Sequence, residues 1–169
     1  MTPQEVIKIL ESSPQKGQEM FIIGIENLNE IVLEWAKANN KKIAIDTLLE
    51  SKAKELGFKY PKVKRTIAGY EIRHALNKHA SKNEHIPLTL QHIIKWIEYA
   101  TSADKHLITK DNIGQEVLVS AKQINEYYCV IVESIRKKGN ELAFKTMYFS
   151  KGYLSKNKSF QTANDQKSL

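Results

Sequence analysis

Cysteine is almost absent from these 169 residues: Cys129 is the only one. No disulfide can close within the chain, and a cysteine-cluster zinc site is excluded. Cys129 lies in an apolar run, where a buried, inert thiol is expected. No stretch approaches the roughly 20 apolar residues of a membrane span. No basic-then-apolar leader opens the chain. The expectation is a protein made and kept in a cytoplasm, or carried into a target cell's cytoplasm by a separate machine, with no membrane partner. A glycine-rich phosphate loop of the P-loop or dinucleotide kind is also missing, which counts against nucleotide-cofactor enzymes of those classes.

Acids are scarce in one region. Between Arg136 and Lys158 the cations are Arg136, Lys137, Lys138, Lys145, Lys151, Lys156 and Lys158, and Glu141 is the only acid. Seven cations against one acid leave +6 of the chain's net +7 in that segment. A basic excess so concentrated is the footprint expected for a polyanion partner. The bland alternative is a solubilising tail. Hydrophobic residues at 41% and charged residues at 27% otherwise fit a globular protein able to bury a core without metals.

The patterning changes near Thr101. Before it, helical signals dominate. Pro3 suits the first turn of a short helix over 3–11. Met20–Ile25 is a short apolar run that reads as a strand or a buried turn. Asn27 or Asn29 caps a helix to about Asn39. Asp46 is expected to cap a helix that Gly57 ends. Residues 58–65 read as a basic linker, and Thr66 as the cap of a helix to about Ala80. Thr89 caps one more helix, carrying Ile93, Ile94, Trp96 and Ile97.

After Thr101, four strands are expected: His106–Thr109, Glu116–Ser120, Tyr127–Ile135 and Glu141–Phe149. Short turn-like connectors join them into an antiparallel meander. The last two are apolar on both faces and should be central. The expected class is α+β, with N-terminal helices packed on a four-stranded antiparallel sheet formed by the C-terminal half. The expected organisation is a helical extension over 1–58, a core over 59–152 and a disordered basic tail over 153–169.

The segment Tyr70-Glu71-Ile72-Arg73-His74-Ala75-Leu76-Asn77-Lys78-His79 is the densest in chemistry. It sets two histidines among cations within about three helical turns. Histidine exchanges protons near neutral pH, and cations beside it can hold a phosphate. Ala68, Ile72, Ala75 and Leu76 define the buried arc. His79 falls within that arc, and His74 falls on its flank beside Lys78. Five residues turn a helix by about 140°, so the two rings do not share a face. A zinc pair, which wants a spacing of four, is disfavoured. His79 can equally be a core histidine that ties the helix end to the sheet. His85, His92 and His106 carry no motif.

The combination is more specific than its parts. Ile72-Arg73-His74-Ala75-Leu76-Asn77-Lys78-His79 is followed by Ile86-Pro87-Leu88-Thr89 and a helix. A meander then closes on Leu142-Ala143-Phe144-Lys145-Thr146-Met147-Tyr148. This order resembles the phage-associated branch of the barnase–EndoU–colicin–RelE-like (BECR-fold) nucleases. That branch has an Arg-His-x-x-x-Lys-His helix, a four-stranded sheet and a closing Phe-Lys-Thr-Met-Tyr-like strand. The resemblance covers about Thr66 to Ser150. Ala80 stands where such motifs commonly carry glycine.

The resemblance implies metal-independent cleavage of RNA, tRNA or mRNA among the substrates, by a toxin or phage effector. It implies no cofactor and no metal. An immunity or antitoxin protein would be a partner. The positions it carries over are Arg73, His74, Lys78 and His79 on the helix, with Lys145, Thr146 and Tyr148 on the strand.

Such cleavage needs a base for the 2′-OH, an acid for the 5′-oxygen, and cations for the phosphorane. His74 is the first candidate for base or acid, with His79 or Tyr148 as its partner. Arg73, Lys78 and Lys145 are the phosphate-holding candidates, and the Thr146 hydroxyl would donate to a non-bridging oxygen. Arg136, Lys137 and Lys138 would extend the substrate contact. Strand alternation puts Thr146 and Tyr148 on one face and Lys145 and Met147 on the other. The predicted product is a 2′,3′-cyclic phosphate. The competing expectation is a non-catalytic nucleic-acid-binding or phage accessory protein with a nuclease-like fold.

Overall fold

A computed structural model describes residues 1–158 and Phe160. In chain order it contains α1 (Pro3–Ser12), α2 (Glu30–Asn39), β1 (Lys42–Thr47), α3 (Glu50–Glu55), β2 (Lys64–Ala68), α4 (Gly69–His79), α5 (Leu90–Ile94) and α6 (Trp96–Thr101). The strands β3 (Lys105–Lys110), β4 (Glu116–Ile124), β5 (Tyr127–Arg136) and β6 (Glu141–Lys151) follow. The class is α+β, as expected, but the sheet has six strands, in the order β1-β2-β6-β5-β4-β3. It is not purely antiparallel, because β2 pairs with β6 in parallel. The expected meander forms its β6-β5-β4-β3 part, with β5 and β6 central. Two compact units divide the chain: residues 1–73 with 135–144, and residues 74–134 with the chain from Lys145.

In the first unit, local chemistry starts α1 and α2. Thr2 and Glu5 form a reciprocal capping box, 3.1 Å from Glu5 N to Thr2 Oγ1 and 2.9 Å from Thr2 N to Glu5 Oε1, with Pro3 in the first turn. Asn29 accepts from Val32 N at 3.0 Å, and α2 ends on Asn40 in the left-handed region. Ile43, Ala44 and Ile45 of β1 are fully buried. β1 pairs antiparallel with β2, Ile43 opposite Ile67, with a register shift between Ala44 and Asp46.

Two expectations fail here, and a third, left open between a strand and a buried turn, resolves towards the turn. Asp46 is a strand residue and caps no helix; α3 begins at Glu50, with Leu49 in front of it. Thr66 lies fully buried in β2, and the histidine helix starts at Gly69. The Met20–Ile25 run forms only an isolated bridge, Ile22 to Ala44.

The reason for the missed strands is charge. Lys42, Lys64 and Arg65 mask the apolar pattern, yet Lys64 and Arg65 are buried. Their setting includes Glu141, only 4% exposed. It accepts from Lys42 Nζ at 2.7 Å and from Thr66 Oγ1 at 2.8 Å. A buried carboxylate needs such partners to remain charged. Gly69 is required by close approach: a Cβ there would sit 2.1 Å from Ala36 O.

In the second unit, Thr89 opens α5 with a capping box closed by His92. The single helix expected there is two, because the backbone turns at Lys95. Trp96 is fully buried and donates from Nε1 to Glu133 Oε2 at 3.1 Å. β3, β4 and β5 pair antiparallel in uninterrupted register, Val119 between Leu107 and Val132.

Cys129 is fully buried, and desolvation pushes its thiol up to about 12. Ala121, Tyr128, Val130, Leu154 and Phe160 form a packed cluster, which Val119, Val132 and Tyr148 join. Leu154 and Phe160 come from the stretch read as a tail; Ser159 and residues 161–169 lie outside the described residues. No helix among the described residues is long and apolar enough to cross a membrane.

Candidate active site

α4 carries the Arg-His-x-x-x-Lys-His motif. Its inward face is Ile72 and Ala75, both fully buried. His74 and Lys78, four residues apart on one face, are exposed. His79, 140° from His74 on an ideal helix, turns inward. Its side chain is 12% exposed. The backbone carbonyl of His79 accepts from Leu88 N at 2.9 Å, which ties the helix end to the approach of α5.

Three contacts define the His79 ring. Nδ1 lies 3.2 Å from Glu84 Oε1. The ring stacks on that of Tyr148, with centroids 5.0 Å apart and planes 26° from parallel. Nε2 is buried and has no hydrogen-bond partner among the described residues. A carboxylate on Nδ1 favours the tautomer with its proton there, leaving the Nε2 lone pair as an acceptor. Glu84 is the contact of His79 that sequence reading missed. It lies beyond the helix end, five residues on, where no helical spacing relates it to His79.

Tyr148 is half-buried and packs against the cluster of Ala121, Tyr128, Val130, Leu154 and Phe160. Burial, and then the neighbouring Tyr128 and Cys129, holds its phenol above the usual range. At neutral pH it is therefore a proton donor, not a phenolate. Thr146, two residues earlier in β6, shares the strand face of Tyr148 by alternation. Its hydroxyl is buried and has no partner among the described residues. Phe149, adjacent to Tyr148, instead meets His92 edge-on at 4.7 Å. The second unit thus brings together His79, Glu84 and Tyr148, with the Thr146 hydroxyl on the same strand face.

Other expected residues are engaged differently. Lys145 forms an ion pair with Asp111 in the β3–β4 turn. That hydrogen bond, backed by the N–H groups of Gln115 and Ile113 and opposed by desolvation, holds the Asp111 carboxyl below its usual range. In the first unit, Arg73 donates to Lys37 O at 2.6 Å and to Asn40 Oδ1 at 3.1 Å. Its guanidinium therefore closes the C-terminus of α2. Arg136 donates to Tyr70 Oη at 3.3 Å. Lys137 and Lys138 are exposed in the β5–β6 turn. Among the described residues, no group of three or more His, Cys, Asp or Glu is placed to hold a metal ion.

A family model described as phage-Barnase-EndoU-ColicinE5/D-RelE like nuclease3 matches residues 42–158. The matched span opens on the first residue of β1, so it takes in all six strands. No curated protein and no solved structure matches the chain.

Proposed function

Because the chain belongs to the phage-Barnase-EndoU-ColicinE5/D-RelE like nuclease3 family, we propose that it is an endoribonuclease that cleaves RNA without a metal, with His79 as its central proton-carrying group. The carrying observation is the ring of His79, fixed by Glu84 on Nδ1 and by Tyr148 on its face, with Nε2 left without a partner among the described residues. An orphaned buried acceptor costs about 1–3 kcal/mol. A substrate hydroxyl hydrogen-bonded to Nε2 would recover that cost.

In the proposed step, His79 Nε2 takes the proton of the 2′-OH. The 2′-oxygen bonds to phosphorus, and the bond from phosphorus to the 5′-oxygen breaks. Tyr148 gives its proton to that oxygen, since an alkoxide is far more basic than a phenolate. The His79 imidazolium then returns its proton to Tyr148. The products are a 2′,3′-cyclic phosphate and a 5′-OH. Thr146 would donate to a non-bridging oxygen, and Lys78 would supply charge from the helix surface. Glu84 positions His79 and touches no substrate. Nε2 is buried, so the step requires a local opening around it. His74 is exposed on another face of α4 and is assigned a substrate contact, not the base.

A second reading has its own observation. Nε2 is closed off from solvent, as in a histidine that only pins a helix to a sheet. The chain would then bind nucleic acid without cleaving it. A toxin or phage-effector role, with a cognate immunity protein, belongs to the first reading. The test is incubation with total RNA, with and without EDTA, comparing parent, His79→Ala and His74→Ala. EDTA-resistant cleavage lost in His79→Ala supports the proposal. RNA bound without turnover supports the second reading.

A further inference from the structure

Beyond β6 the chain makes a cavity of about 530 Å³ whose walls include Tyr128, Lys151, Tyr153, Lys156 and Lys158. Among the described residues, no carboxylate lines it. Its side chains combine cations with aromatic rings. Tyr128 is nearly buried, whereas Tyr153 is 49% exposed.

The backbone around the cavity is held, not loose. Gln123 is the clamp. Its Nε2 donates to Asn125 O, Tyr127 O and Gly152 O at 2.8, 3.0 and 3.1 Å, and its Oε1 accepts from Leu154 N at 2.7 Å. Gly152 N donates to Glu126 O at 2.8 Å. Gly152 takes φ +99°, a region that side chains disfavour. Asn157 Nδ2 donates to Tyr128 Oη at 2.8 Å. Leu154 and Phe160 anchor the segment in the cluster that Tyr148 joins. A merely solubilising tail needs no such frame.

We propose that this cavity is a nucleotide subsite for single-stranded RNA. Lys151, Lys156 and Lys158 take a phosphate, and the exposed Tyr153 ring stacks a base. Lysine-lined grooves carrying an aromatic platform bind single strands through these two terms. The inference rests on the ribonuclease reading. Tyr148 lies three residues before Lys151, about 10 Å along an extended strand, so a strand cleaved at His79 would seat a neighbouring nucleotide here.

The test is binding of a fluorescent single-stranded RNA with 2′-O-methyl groups throughout, which cannot be cleaved, followed by anisotropy over a salt series. The combined variant Lys151→Ala, Lys156→Ala, Lys158→Ala should raise Kd at least tenfold. It should also lower the slope of log Kd against log salt by about 0.7, the value for one lost phosphate contact on a single strand. Tyr153→Ala should weaken binding at least fivefold, with Tyr153→Phe near the parent. Lys8→Ala with Lys16→Ala, on exposed positions of the N-terminal region, should bind like the parent.

An equal loss in that control, or parent-like binding by the triple variant, overturns the subsite. Cleavage of total RNA separates the two claims. If the parent cleaves nothing while the cavity variants still lose binding, the subsite stands and the ribonuclease reading falls. If cleavage persists while the cavity variants bind normally, the reverse holds.

Discussion

The imidazole of His79 stacks on the phenol ring of Tyr148, with centroids 5.0 Å apart and planes 26° from parallel. The contact joins the last residue of α4 to the far half of β6. Tyr148→Phe keeps the ring and removes only the hydroxyl. Cleavage should fall about 10²–10⁴-fold, the usual contribution of a positioned proton donor, with little change in melting temperature. Tyr148→Ala should lose cleavage and stability together, since a paired ring adds about 0.5–1.5 kcal/mol beyond its burial. Rates on an RNA substrate and thermal melts separate these effects.

Glu84 acts through His79. Glu84→Gln keeps a hydrogen-bonding group and removes the charge that favours the Nδ1–H tautomer. The expected outcome is a kcat about tenfold lower or more, with KM close to the parent's, because Glu84 does not touch substrate. A change confined to KM would assign Glu84 to binding instead. Steady-state kinetics on a defined oligonucleotide make the distinction.

Much of this was legible in the chain, for identifiable reasons. The four C-terminal strands carry β-branched runs separated by short turns, so β3 to β6 stand out locally. The inward turn of His79 follows from its place among Ile72, Ala75 and Leu76 on the wheel. β1 and β2 were hidden because Lys42, Lys64, Arg65 and Thr66 mimic a linker and a cap. Their burial depends on Glu141, 99 residues from Lys42, and no local pattern encodes that pairing. Glu84 was hidden for the same reason: a loop, not a period, brings it to His79.

That buried cluster has a consequence for stability. Glu141→Leu removes the acceptor of both Lys42 and Thr66. Breaking a buried ion pair costs about 3–5 kcal/mol. The Lys42 side chain is 20% exposed and can reach water, so the lower end is expected. Urea unfolding of the parent and of Glu141→Leu measures it through the midpoint at constant slope.

Cys129 makes stability depend on alkaline pH. Burial pushes its thiol from an ordinary 9.0 up to about 12. Between those values the folded chain keeps a proton that the unfolded chain has lost, so stability is full below about pH 9 and falls as pH rises towards 12. Cys129→Ala lowers stability at every pH by leaving a small cavity, but it should flatten the decline. Melting temperatures from pH 8 to 10.5 test this: equal slopes in parent and variant would remove Cys129 as a source of the decline.

The central claim is that His79 moves the proton in a metal-free transphosphorylation. The most direct measurement is the chemistry of the new 3′ ends when the protein cleaves RNA in EDTA, for the parent and for His79→Ala. The account predicts 2′,3′-cyclic phosphate ends from the parent and no fragments above background from His79→Ala. Fragments ending in 3′-OH, or undiminished cyclic-phosphate ends from His79→Ala, would contradict it.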